Sequence, residues 1–155
     1  MTATETPHTP DVTRLHDDWR VRCVVNSNDA PWVFSSSPRG QQLLLDRCDG
    51  EAAPATSIVR YEPGASFSAA PLALGEEILV LDGILIDETG AYGVGTYIRS
   101  PPGFRHELFT EQGCTIFVKW YDHDPMDSER VVVNTRNADW RPGLVEGLKV
   151  LPLHS

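Results

Sequence analysis

Short apolar runs recur along the chain, and each is bounded by glycine, proline or acidic turn residues. They are VRCVV (21–25), QQLLLDR (41–47), ATSIVRYE (55–62), EEILVLD (76–82), ILID (84–87), GTYIRS (95–100), HELFT (106–110) and CTIFVKWYD (114–122). Between them stand Pro31, Pro38-Arg39-Gly40, Pro63-Gly64, Asp82-Gly83, Glu88-Thr89-Gly90, Pro101-Pro102-Gly103 and Glu111-Gln112-Gly113. Runs of strand length at this spacing predict an all-β sandwich or barrel. Asp82-Gly83, flanked by two β-branched runs, predicts a two-residue type I′ hairpin turn. Sustained helical periodicity is absent, and residues 1–18, rich in Thr, Pro and acid, predict a loose tail.

The pattern also repeats. RCVVNSNDAPW (22–32) and RVVVNTRNADW (130–140) align without a gap, Trp32 and Trp140 setting the offset at 108 residues. Self-similarity at a fixed period implies a second structural unit that begins near Arg130. Residues 125–155 are therefore expected to form an arm, a partial repeat of 22–47. It would pack on the barrel or on a neighbouring subunit, or stay loose.

Composition narrows the class. The 155 residues are of one-domain size, and 41% hydrophobic with 23% charged residues fits a folded core. The net charge of −9, without a basic run, opposes binding to phosphate backbones or anionic lipid, so neither nucleic acid nor membrane is expected as a partner. Cys23, Cys48 and Cys114 are odd in number and form no CxxC pair, which points to reduced thiols and a cytoplasmic location. The start of the chain has no basic stretch followed by an apolar one, so no signal peptide is expected.

Two segments carry a resemblance. Gly64-ASFSAAPLALG-Glu76-EILVLD-Gly83 and Gly95-TYIRS-Pro101-Pro-Gly103-FR-His106 keep the spacing of the two cupin signatures, G-x5-H-x-H-x3-E-x6-G and G-x5-P-x-G-x2-H. The flanking sequence resembles the ChrR-like cupins, a group that includes the sensing domain of ChrR-type anti-sigma factors and resembles acetylacetone-cleaving dioxygenases. The resemblance implies an all-β double-stranded β-helix, or jelly-roll barrel, over residues 19–124. It also implies a homodimer joined through sheet edges.

The chain departs from the family at the metal ligands. The two motif-one histidine positions hold Ala70 and Leu72, so only Glu76 and His106 keep ligand-type side chains. Metal centres of this kind use three protein ligands and an open position, so no metal or other cofactor is expected. His8, His16, His123 and His154 read as solvated surface residues, and Glu77 faces away from Glu76 on any strand.

What remains is a carboxylate and an imidazole facing each other in an apolar mouth, suited to acid–base chemistry on a small apolar or aromatic molecule. Glu76 and His106 are the candidate catalytic pair. Ala70, Leu72, Tyr61, Phe67, Tyr97 and Phe117 are the candidate substrate pocket, and Phe104 and Trp120 are open to the same reading. Two alternatives stand beside it: a non-catalytic binding or regulatory module, and a metal-dependent dioxygenase of the acetylacetone-cleaving type.

Overall fold

A computed structural model of the protein describes residues 14–18, 20–35, 37, 39–48, 53–68, 75–120, 124 and 126–154. Its elements are all strands: β1 (Val33–Phe34), β2 (Gly40–Arg47), β3 (Ala55–Tyr61), β4 (Ala65–Ser68), β5 (Glu76–Asp87), β6 (Gly90–Gly93), β7 (Thr96–Ser100), β8 (Glu107–Thr110), β9 (Cys114–Trp120), β10 (Val131–Asn134), β11 (Arg141–Pro142) and β12 (Lys149–Val150). Among the described residues no helix is long and apolar enough to cross a membrane.

The strands form two faces of a jelly roll. The larger runs β1-β2-β3-β9-β5-β7-β10 and the smaller is built from β4, β8, the second half of β5, and β6, every pairing antiparallel. β5 belongs to both faces. Its first half lies between β9 and β7, and its second half pairs with β6, with Ile86 opposite Phe109 of β8.

β5 passes between the faces at Asp82-Gly83, where the sequence predicts a hairpin. The chain does not reverse there. The register against β9 shifts between Val80 and Asp82, as in a β-bulge, and Gly83 takes φ +73°. A Cβ at Gly83 would lie 2.2 Å from the Gly113 carbonyl oxygen, so both the backbone angle and the space demand glycine. The reversal comes at Glu88-Thr89, where Asp87 pairs with Gly90 and its Oδ1 accepts the Thr89 N–H at 2.7 Å.

Two further expectations are corrected. Residues 21–25 pair with no strand among the described residues. Within the presumed tail, Leu15 and Arg47 exchange backbone hydrogen bonds of 2.9 and 2.8 Å, so the sheet gathers the chain before residue 18. Residues 1–13 lie outside the described residues.

Strand alternation builds the core. Directly opposed residues on antiparallel strands share a face, so registers translate into rows. One inward row crosses the larger sheet as Ser57, Val118, Ile78 and Ile98, and the next as Val59, Ile116 and Val80. All are buried, and each large aliphatic contributes about 1.5–3 kcal/mol. Phe67, Leu85, Tyr92 and Leu108 of the smaller sheet close the cluster from the other side.

Candidate functional site

The row at the end of the larger sheet is polar. It runs Ala55, Trp120, Glu76 and Ser100, set by the pairs Ala55–Trp120, Glu76–Trp120 and Glu76–Ser100. His106, just ahead of β8, meets this row: its Nε2 lies 2.8 Å from Glu76 Oε1. The Trp120 indole Nε1–H donates to the other carboxylate oxygen, Oε2, at 3.2 Å. Glu76 and His106 are 4% and 3% exposed, so the two candidate catalytic residues are together and buried.

Glu76 and His106 are within ion-pair distance, but their N–H and oxygen are not aligned as a hydrogen bond. Among the described residues Glu76 Oε1, His106 Nε2 and Nδ1, and the hydroxyls of Ser100 and Ser57 lack a hydrogen-bond partner. Ser100 is directly opposite Glu76, whereas Ser57 lies one row away on β3, with β9 between it and β5. A buried polar group left unpaired costs about 1–3 kcal/mol, and His106 Nδ1 and the Ser100 hydroxyl are two such groups beside Glu76. Phe104 borders the pair, its ring edge-on to His106 with centroids 5.6 Å apart.

Deeper in, Tyr61 and Phe67 stack with centroids 3.9 Å apart, both inside the core cluster. Burial pushes the Tyr61 phenol up to about 12 and the Cys114 thiol up to about 11, so both are neutral and serve as packing. Tyr97 and Phe117 lie apart from the Glu76–His106 pair. Tyr97 opposes Leu79, and Leu79 opposes Phe117, on the outward face of the sheet. There the Tyr97 hydroxyl donates to Glu77 Oε1 at 2.6 Å. Inward Ile98 and Ile116 decide the matter, because strand neighbours point to opposite faces. Ala70 and Leu72 lie outside the described residues, as do His8 and His123.

The remaining histidines stay away from the pair. His16 Nδ1 is 2.8 Å from the Leu45 carbonyl, and His154 lies near Asp127 and Glu129. Asp127 also pairs with Arg99, whose buried guanidinium shares the outward face with Glu77. The Glu129 backbone N–H, with Arg99, holds the Asp127 carboxyl below its usual range.

A second polar cluster sits beside the site. Arg130, one residue before β10, donates to Asp87 Oδ2, to Thr89 Oγ1 at 3.0 Å and to the Tyr92 hydroxyl at 3.2 Å, with its guanidinium 5.3 Å from the Phe104 centroid. Burial alone would raise the Asp87 carboxyl. The hydrogen bonds from Tyr92 and Thr89, with the Arg130 charge, outweigh it and hold the group below its usual range.

A divalent metal does not fit this donor set. Glu76 and His106 offer two protein donors in mutual contact, Ala70 and Leu72 carry no side-chain donor atom, and no group of three His, Cys, Asp or Glu side chains suited to a metal occurs among the described residues.

Two antiparallel sheets closed into a jelly roll, with the ends of both signature segments meeting at one mouth, define a cupin. Within that class the chain belongs to the ChrR cupin-like domain family, whose profile matches residues 20–123. Solved structures agree on the fold. The complex of Rhodobacter sphaeroides SigE with the anti-sigma ChrR matches at TM-score 0.50 and 19% identity, over 61% of this chain and 50% of that one. The Ylba protein of E. coli matches at TM-score 0.60 and 14% identity, over 75% and 53%. The polyketide cyclase RemF of Streptomyces resistomycificus matches at TM-score 0.55 and 20% identity, over 74% and 85%. This chain thus spans about half the length of the first two. No curated protein matches it in sequence.

The structure brings Glu76 and His106 together, as the sequence leads one to expect, with Trp120 against the carboxylate. Ser100 and Arg130 are not singled out by the sequence. Ser100 was within reach, because it immediately precedes the Pro-Pro-Gly turn that aims His106.

Proposed function

We propose that the protein binds a small, mainly apolar metabolite bearing a hydroxyl or carbonyl group at the Glu76–His106 end of the barrel, and moves a proton on it without a metal ion. The observation that carries this reading is the buried Glu76–His106 pair with His106 Nδ1 and the Ser100 hydroxyl unpartnered beside it, backed by the apolar rows of Ile78, Ile98 and Val118. A ligand with one polar end and an apolar body satisfies both surfaces.

In this scheme Ser100, directly opposite Glu76, holds the polar group. Of Glu76 and His106, one accepts a proton from the substrate as the other returns one to a second position. The products are those of isomerisation or cyclisation, with no oxidant or reductant required. Trp120 and Phe104 fix the carboxylate and the imidazole and exclude water. The polyketide cyclase of similar fold lends the reading no residue, since that likeness is one of fold alone.

A second reading, a non-catalytic binding module, draws on the deep burial of the pair. One set of measurements separates the possibilities. The purified chain is assayed for metal by plasma mass spectrometry, and 1-naphthol and 1-tetralone are titrated by calorimetry into wild type and His106→Ala. The expected result is metal well below one ion per chain, with binding weakened about tenfold or more in the variant, the effect of one lost hydrogen bond of the charged kind. A metal content near one per chain would return the dioxygenase reading. Equal binding by both proteins would remove His106 from the site.

A further inference from the structure

The two halves of the sequence repeat fold alike, down to single hydrogen bonds. Asn26 Oδ1 accepts the Asn28 N–H at 3.1 Å, and 108 residues later Asn134 Oδ1 accepts the Arg136 N–H at 3.0 Å. The Asn26 carbonyl accepts from Asp29 N at 3.0 Å, and the Asn134 carbonyl from Asn137 N at 3.2 Å. Val33–Gln42 and Phe34–Gln41 of the β1–β2 pair correspond to Arg141–Val150 and Pro142–Lys149 of the β11–β12 pair. The hairpin bond from Ser35 N to Gly40 O, 2.9 Å, has its counterpart in Gly143 N to Leu148 O, 2.8 Å. Four features at one offset make residues 130–150 a structural repeat of residues 22–42.

The two copies differ in one respect. In the second, Val131–Asn134 forms β10 on the edge of β7 and Arg130 enters the nest of Asp87, Thr89 and Tyr92. In the first, the corresponding Cys23–Asn26 pairs with no strand, and Arg22 makes no ion pair or hydrogen bond among the described residues. Val24, the counterpart of Val132, is 78% exposed.

We propose that residues 22–26 are a docking strand for a second cupin unit. They add antiparallel to the open β7-type edge of that unit, as β10 adds to β7 here. Arg22 then enters an acidic nest placed like that of Asp87. The partner is recognised by that chemistry: an unpaired barrel edge with a carboxylate and a phenol beside it. β10 already fills the β7 edge of this chain, so wild-type copies do not pair through this strand.

Opening that edge turns the chain into its own probe. The Thr135 N to Gly95 O bond of 2.9 Å sets the phase of the ladder and puts Val133 and Val131 at its hydrogen-bonded positions. Val133→Pro should free β7, and light scattering should then show a larger mass than wild type. Adding Val25→Pro, the equivalent change in the docking strand, should return the wild-type mass. Arg130→Glu, which repels Asp87 without altering the backbone, gives the same pair of tests with Arg22→Glu, should the proline variant fail to fold by circular dichroism. A folded single variant that keeps the wild-type mass overturns the proposal, as does a larger mass that survives the second change.

Discussion

Asp87 and Arg130 show how a single pair fastens distant parts of the chain. The Asp87 carboxylate is held below its usual range, so its contribution to stability is present above the unfolded value and is lost as pH falls through the folded one. Arg130→Met should lower stability at neutral pH by about 2 kcal/mol, the scale of a hydrogen bond to a charged group. Urea midpoints across pH 7 to 3 check it: the gap between wild type and Asp87→Asn should narrow as the solution becomes acidic. A gap that does not depend on pH would assign the loss to packing. At this scale the resemblance to the cupin signatures marks Glu76 and His106, at the carboxylate and second-motif histidine positions. That Tyr97 and Phe117 fall on the other face from Glu76 was not legible, because which alternate residues of β7 and β9 face inward depends on register against β5, and register is a property of pairing.

Among the elements, β5 carries the topology. Its bulge at Gly83 lets one strand serve two sheets, and the Gly113 carbonyl closes off the space a side chain would need. Gly83→Ala should therefore destabilise by about 3 kcal/mol or more, through positive φ and overlap together. Equilibrium urea unfolding reads this directly, and a loss under about 1 kcal/mol would mean the bulge relaxes cheaply. The strand runs at 41–47, 55–62, 95–100, 106–110 and 114–122 were legible as β2, β3, β7, β8 and β9 from apolar runs and turn residues. Asp82-Gly83 was not. A type I′ turn and a bulge both ask for glycine at positive φ, and only the neighbouring strand distinguishes them.

For the molecule as a whole, the order β3-β9-β5-β7 brings segments far apart in sequence into one polar row, and the cysteines measure how firmly that assembly holds. Cys23 is exposed, while Cys114 is buried with its thiol pushed up to about 11. A disulfide-exchange reagent at pH 8 should label Cys23 at once and Cys114 only at the rate of global opening. Prompt labelling of Cys114 in native protein would show that the barrel opens locally beside β9. The fold class was readable because both signature spacings survive even where the metal histidines do not. The polar row was hidden, since Ala55, Trp120, Glu76 and Ser100 share no sequence period.

The indole of Trp120 has a consequence for how the site can be watched. Its N–H touches the Glu76 carboxylate, so its excited state sits in the field of the group proposed to exchange protons. With Trp19, Trp32 and Trp140 replaced by phenylalanine, the remaining emission becomes an intrinsic optical gauge of that carboxylate. Its colour and lifetime would follow occupancy and protonation at the barrel mouth in real time, with no label and no knowledge of the natural substrate.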